Sequence, residues 1–156
     1  MRLASFFLLL PLAFGGCATA PTDDELAADL WSEIDGYDAW SIPEGWTDTP
    51  TLSGSHSGAY VVTYLGDSLA AWDGGGTAPE GAVAVKESYD DEAGTTLTGL
   101  TVMKKIAGYD EATSDWFWAS YSADGTVGSA GKVEMCSGCH ASATSDYVYA
   151  DAPAGE

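Results

Sequence analysis

The pentapeptide Cys136-Ser137-Gly138-Cys139-His140 falls near the end of a chain of 156 residues. Its pattern, C-x-x-C-H, is the attachment signature of a c-type haem. Two thiols separated by two residues on one turn reach both vinyl groups of a porphyrin, and the imidazole next in the chain then lies beneath the iron. No Met or His comes after His140, so any sixth iron ligand comes from upstream. Two rival uses of the same residues are weaker. A structural zinc site needs four ligands, and the chain offers Cys136, Cys139, His140 and the distant His56. A redox dithiol or a disulfide leaves His140 without a role, and no βαβ pattern accompanies the pair.

The third cysteine, Cys17, has a different setting. Met1-Arg2 is a short positive region and residues 3–14 are an apolar run, shorter than the roughly 18 residues that a bilayer-spanning helix needs. It reads as a secretory signal. Gly15-Gly16 before Cys17 resemble a bacterial lipoprotein processing site. Residues 1–16 are therefore expected to be a removable signal, Cys17 to be lipidated, and residues 17–22 to form a lipid-anchored tether. Ala18 and Thr19 include no Asp, which in that pattern favours the outer membrane over the inner one. The expected location is the periplasmic side, lipid-anchored, or secreted or free in the periplasm if Cys17 is not lipidated. Each cysteine then has one task, Cys17 for lipid and the other two for haem.

Charge limits the partners. Five Lys plus Arg stand against 24 Asp plus Glu, a net charge of −19, and loss of Arg2 with the signal moves it one unit further. Such a surface cannot neutralise a run of phosphates, which excludes nucleic acid and leaves the anchor as the one route to a membrane. A cationic redox partner protein or a small neutral ligand remains. With 46% hydrophobic and 12% aromatic residues, disorder is excluded, and residues 23–156 are expected to form a single domain.

Thr22-Asp23-Asp24-Glu25 reads as a capping box, and Leu26, Leu30 and Ile34 lie on one helical face, with Gly36 as the stop. Residues 38–58 are rich in Gly, Pro, Ser and Thr and are expected to be a loop packed by Trp40 and Trp46. From residue 59 the period changes to two. Residues 59–65, 82–89, 95–106 and 116–122 are β-branched and aromatic, separated by Gly and Asp turns, with a short helix at 67–72. The expected class is mainly β (α+β): an antiparallel sheet of four or five strands, an N-terminal helix, and a short C-terminal helix carrying the haem motif. A helical bundle is excluded.

The segments GAVAVKESYD (81–90), LTVMKK (100–105), DWFWASY (115–121) and CSGCHASATSDYVY (136–149) together resemble the cytochrome P-460 family, which includes the β-sheet cytochromes c′ (cytochrome c′-beta). The resemblance spans residues 59–149. It implies an antiparallel β fold, a homodimer, and one covalently bound haem c that is five-coordinate or weakly six-coordinate. In hydroxylamine-oxidising members a lysine is cross-linked to the porphyrin edge; in the c′-like members it is not, and the haem binds nitric oxide or carbon monoxide. Lys86 matches that lysine. It shares a strand face with Ala82 and Ala84, whose small side chains leave room for a flat ligand. Its alternative is an exposed lysine paired with Glu87 or Glu134.

The resemblance implies binding or oxidation of small nitrogen species, hydroxylamine or nitric oxide, at an open distal site. The alternative is a non-enzymatic electron-transfer cytochrome. Oxidising members carry an acid in the distal pocket, whereas residues 141–145 have none and Asp146 reads as a structural cap, so turnover as a haem-dependent oxidoreductase stays open. The other candidates read as structural. Met103 is read as strand core rather than as a sixth ligand, Met135 directly precedes Cys136 and cannot reach the distal face, and His56 is expected to be exposed in a Ser/Gly loop rather than to be a distal ligand. Lys104 and Lys105, pointing to opposite faces, are both expected to be solvated. One face of Trp116-Phe117-Trp118 lines the haem or the core.

Overall fold

A computed structural model describes residues 19–56 and 60–149 of the chain. The proposed signal (1–16) and the lipidation site Cys17 lie outside the described residues. Within them, no helix is long and apolar enough to cross a membrane.

Six strands form one antiparallel sheet in chain order: β1 (Thr51–Leu52), β2 (Tyr60–Leu65), β3 (Val83–Tyr89), β4 (Leu97–Lys105), β5 (Trp116–Ser122) and β6 (Val127–Gly131). Three helices join them: α1 (Asp23–Glu33), α2 (Asp67–Ala70) and α3 (Glu134–His140). The fold is the expected mainly β arrangement, with β1 and β6 added to the four strands read from the sequence. Helix α1 begins as anticipated. The Thr22 hydroxyl accepts from the Glu25 amide at 3.3 Å and the Glu25 carboxylate accepts from the Thr22 amide at 2.8 Å, a reciprocal capping box.

Because side chains alternate along a strand, the sheet has two faces with separate cores. One face carries Val83, Val85, Leu100, Val102, Phe117, Ala119 and Tyr121 and is covered by Ala27 and Leu30 of α1 and by its C-cap Ile34. Its polar groups are matched. The Tyr121 hydroxyl donates to the Ala27 carbonyl at 2.8 Å, and the buried Glu87 carboxylate accepts from the Tyr37 and Tyr89 hydroxyls, each at 2.7 Å. The opposite face carries Ala82, Met103, Trp116 and Trp118, packed with Leu69 of α2 and with Cys136 of α3. Met103 is thus a core residue, and Trp116 and Trp118 face away from Phe117.

The two adjacent lysines part company. Lys104 reaches Glu33 at the end of α1. Lys105 contradicts the expectation of solvation: its side chain is 6% exposed and its ammonium meets the Asp146 carboxylate at 2.6 Å. Strand alternation sends it to the α3 face, where a carboxylate from far along the chain compensates its burial.

Candidate haem site

Helix α3 places the motif against the second face. Cys136 and Cys139 lie three residues apart on this one short helix, Cys136 half-buried against the core and Cys139 exposed. Both thiols are free. Among the described residues no three His, Cys, Asp or Glu side chains converge to hold a metal ion, which leaves the zinc alternative without a ligand set.

His140 is held by the turn beyond α3. Its Nδ1 lies 2.7 Å from the Tyr147 carbonyl. A carbonyl only accepts, so the network assigns the proton to Nδ1 and leaves the Nε2 lone pair free. Burial lowers the pKa of His140, the Tyr147 bond opposes that, and the nearby Lys86 charge lowers it further. The imidazole is neutral at pH 7, as a metal ligand must be. Trp118 packs edge-on to it at 4.8 Å between ring centroids, and Tyr149 at 5.3 Å.

The carbonyl is aimed by strained backbone. Asp146 and Tyr147 have φ of 41° and 65°, a region that costs a non-glycine residue about 1–3 kcal/mol. A dense set of contacts holds it. The Asp146 carboxylate accepts from the Ala78 amide at 2.8 Å, from Lys105 at 2.6 Å and from the Ser114 hydroxyl. The Trp116 indole donates to the Asp146 carbonyl at 2.8 Å. Asp146 does cap structure, as read from the sequence, but its chief partner is Lys105.

Lys86 points to this same face. The β3 register puts it opposite Thr63 of β2 and Thr101 of β4, while Glu87 faces α1. Among the described residues Lys86 has no carboxylate partner, which removes the pairing with Glu87 or Glu134. Desolvation pushes its pKa down to about 8, opposed only by the neighbouring Cys139. Its Nζ lies 3.2 Å from His56 Nε2 and 6.0 Å from the Trp46 ring centre.

His56 departs from its expected exposure. It is half-buried, its Nδ1 is 3.5 Å from the Thr101 hydroxyl, and its ring centre is 6.4 Å from that of His140. Its pKa is pushed down to about 4 by burial first, then by Lys86 and His140. Trp46 and Thr101 also join the site unannounced. All these residues come from elements remote in sequence, and only the rarity of histidine, two in the chain, could have singled out His56.

The surroundings fit a haem. Among the described residues the buried side-chain polar atoms without a partner are Trp46 Nε1, Thr63 Oγ1 and Trp118 Nε1. Each lies beside Lys86 or His140. Buried polar groups are nearly always satisfied, so three orphans around one spot mark a place where a ligand completes the structure. Two indole donors and a hydroxyl suit a flat apolar group with acidic edges, and the small Ala82 and Ala84 leave it space.

The chain matches the cytochrome P460 family model over residues 34–150. It belongs to that family and is a haem-binding cytochrome. No individual curated protein matches it.

Proposed function

We propose that Cys136 and Cys139 would hold a single haem c covalently, that His140 would bind its iron, and that the protein binds or oxidises small nitrogen species such as nitric oxide or hydroxylamine there. The observation that carries this is that His140, its Nδ1 turned to the Tyr147 carbonyl, lies near a half-buried Lys86 that has no carboxylate partner among the described residues. When bound, the haem supplies a ligand position for nitrogen and an electron acceptor. The chain's residues do the rest. Tyr147 orients the proximal imidazole, Trp118 and Tyr149 pack its sides, and Trp46 shields the Lys86 ammonium. Lys86 would meet the porphyrin edge, and a cross-link there belongs to the hydroxylamine-oxidising version of this reading.

A second reading, an electron carrier docking a cationic redox partner, is favoured by the exposure of Cys139 and by the charge of −19. It predicts electron exchange that slows steeply with salt. In either case the sequence pattern of residues 1–17 supports export and a lipid anchor, residues 23–156 are the single haem domain, and the family resemblance supports a homodimer.

The test is nitric oxide titration of the purified holoprotein, with tryptic mass mapping of Lys86. The reading predicts a nitrosyl haem spectrum at stoichiometric ligand. A ferric and ferrous haem that refuses nitric oxide would remove it and leave the electron carrier. Recovery of the Lys86 peptide unmodified would remove the cross-link alone.

A further inference from the structure

His56 and His140 come close together although they belong to elements remote in sequence. His140 comes from α3, and His56 from the segment between β1 and β2, with ring centres 6.4 Å apart and planes crossing at 88°. Two imidazoles that share a first-row metal through bonds of about 2 Å hold their ring centres about 6 Å apart. The observed spacing of 6.4 Å is compatible with two imidazoles on opposite sides of one metal.

The hydrogen bonds agree. A metal-binding histidine turns its second ring nitrogen to a protein oxygen, which fixes the tautomer and the ring direction. Both rings do so here. His140 Nδ1 faces the Tyr147 carbonyl at 2.7 Å, and His56 Nδ1 faces the Thr101 hydroxyl at 3.5 Å. Among the described residues neither Nε2 is hydrogen-bonded to an oxygen. His56 Nε2 meets instead the Lys86 ammonium at 3.2 Å; an ammonium only donates, so that nitrogen already presents its lone pair to a positive charge.

We propose that His56 is the sixth, displaceable ligand of the haem iron, opposite His140. The inference rests on the haem reading above and adds a regulator to it: a small ligand reaches the iron only after His56 leaves. His56 ends a short segment, Ser53-Gly54-Ser55, in which Gly54 has open space around it. His140, by contrast, is fixed by helix α3 and by the Tyr147 carbonyl. Ligand affinity is then reduced by the fraction of molecules in which His56 is bound.

The experiment is electron paramagnetic resonance and optical spectroscopy of the ferric holoprotein, wild type against His56→Ala and Lys86→Met, with cyanide binding measured alongside. The wild type is expected to be low-spin, with the strongly anisotropic signal of crossed imidazole planes. His56→Ala is expected to be high-spin, to return to low-spin with added free imidazole, and to bind cyanide at least about tenfold more tightly, the factor expected if the site is free in a tenth of wild-type molecules. Lys86→Met keeps the low-spin state. A high-spin wild type would overturn the inference and leave the haem reading intact, as would a low-spin state lost in Lys86→Met but kept in His56→Ala. If His56→Ala does not fold, the wild-type spectrum and that of Lys86→Met decide the matter. A protein with no haem on denatured-mass analysis would instead overturn the haem reading itself.

Discussion

The two faces of the sheet are built from the same strands and behave as different materials. Toward α1 the core is closed: Phe117 and Val85 are 0% exposed, Tyr121 is hydrogen-bonded to the helix, and even the buried Glu87 has phenolic donors on both oxygens. Toward α3 the core stops halfway along the strands. Met103, Trp116 and Trp118 fill one part, and beyond them come Lys86, His56, Thr63 and Thr101, with orphaned donors and two depressed pKa values. One face stabilises the fold with its polar groups paired, and the other keeps buried polar groups without a partner among the described residues. Burial alone does not separate them; the satisfaction of polar groups does.

Substitutions can break that contrast. The largest loss of stability is expected on the closed face, where Phe117→Ala removes a fully buried ring and should cost about 3–5 kcal/mol in urea unfolding. A loss under about 1 kcal/mol would mean that this core is loosely packed. Nearly as large is Asp146→Ala, which strands the Lys105 ammonium in a site where its side chain is 6% exposed. Removing one partner of a buried pair costs about 3–5 kcal/mol, and here it should also free the Tyr147 carbonyl from His140 and alter the haem spectrum. Phe117→Ala should leave the spectrum alone.

The Asp146 pair also gives a pH dependence with a definite sign. Burial works to raise the carboxyl pKa, but Lys105, Ser114 and the Ala78 amide outweigh it and hold it below the ordinary 3.8. Its stabilisation is therefore fully present above that value and lost as pH falls through the lower folded value. Acid unfolding of Asp146→Asn should lack this component, and superimposable acid limbs for the two proteins would show that the pair is not ionised as described.

Smaller effects are expected at the edges of the comparison. Thr22→Ala removes the hydroxyl of the α1 capping box and should cost about 1 kcal/mol, with no change at the haem. Thr63→Val should be neutral or stabilising by up to about 1 kcal/mol in apoprotein, because it replaces an unpartnered buried hydroxyl by a methyl of similar shape. A clear loss of stability there would show that Thr63 is satisfied, and would weaken the view of this face as unfinished.

Much of this is legible in the sequence, unevenly between the two faces. The period-two runs mark β2 to β5, the capping box marks the start of α1, and the C-x-x-C-H motif with its neighbours points to the family. Lys86 falls on the correct face because its neighbours Ala82 and Ala84 alternate with buried valines. Strand β6, Val127-Gly128-Ser129-Ala130-Gly131, escapes a reading by pattern because it is an edge strand, mostly exposed, without an apolar alternation to detect. Strand β1 is two residues long. The burial of Lys105 is hidden because its partner Asp146 lies 41 residues later, and that of His56 because its neighbours belong to β3, β4 and α3. Local pattern reports which face a residue occupies, but not which distant residue meets it there.

The central claim, that the unfinished face is a covalent haem c site built on Cys136, Cys139 and His140, is tested most directly by mass spectrometry of the acid-denatured holoprotein and tryptic mapping of the product. The prediction is one haem per chain, retained after denaturation and carried by the peptide that contains both cysteines. A haem that extracts into acidified organic solvent, leaving the apoprotein mass, would contradict it.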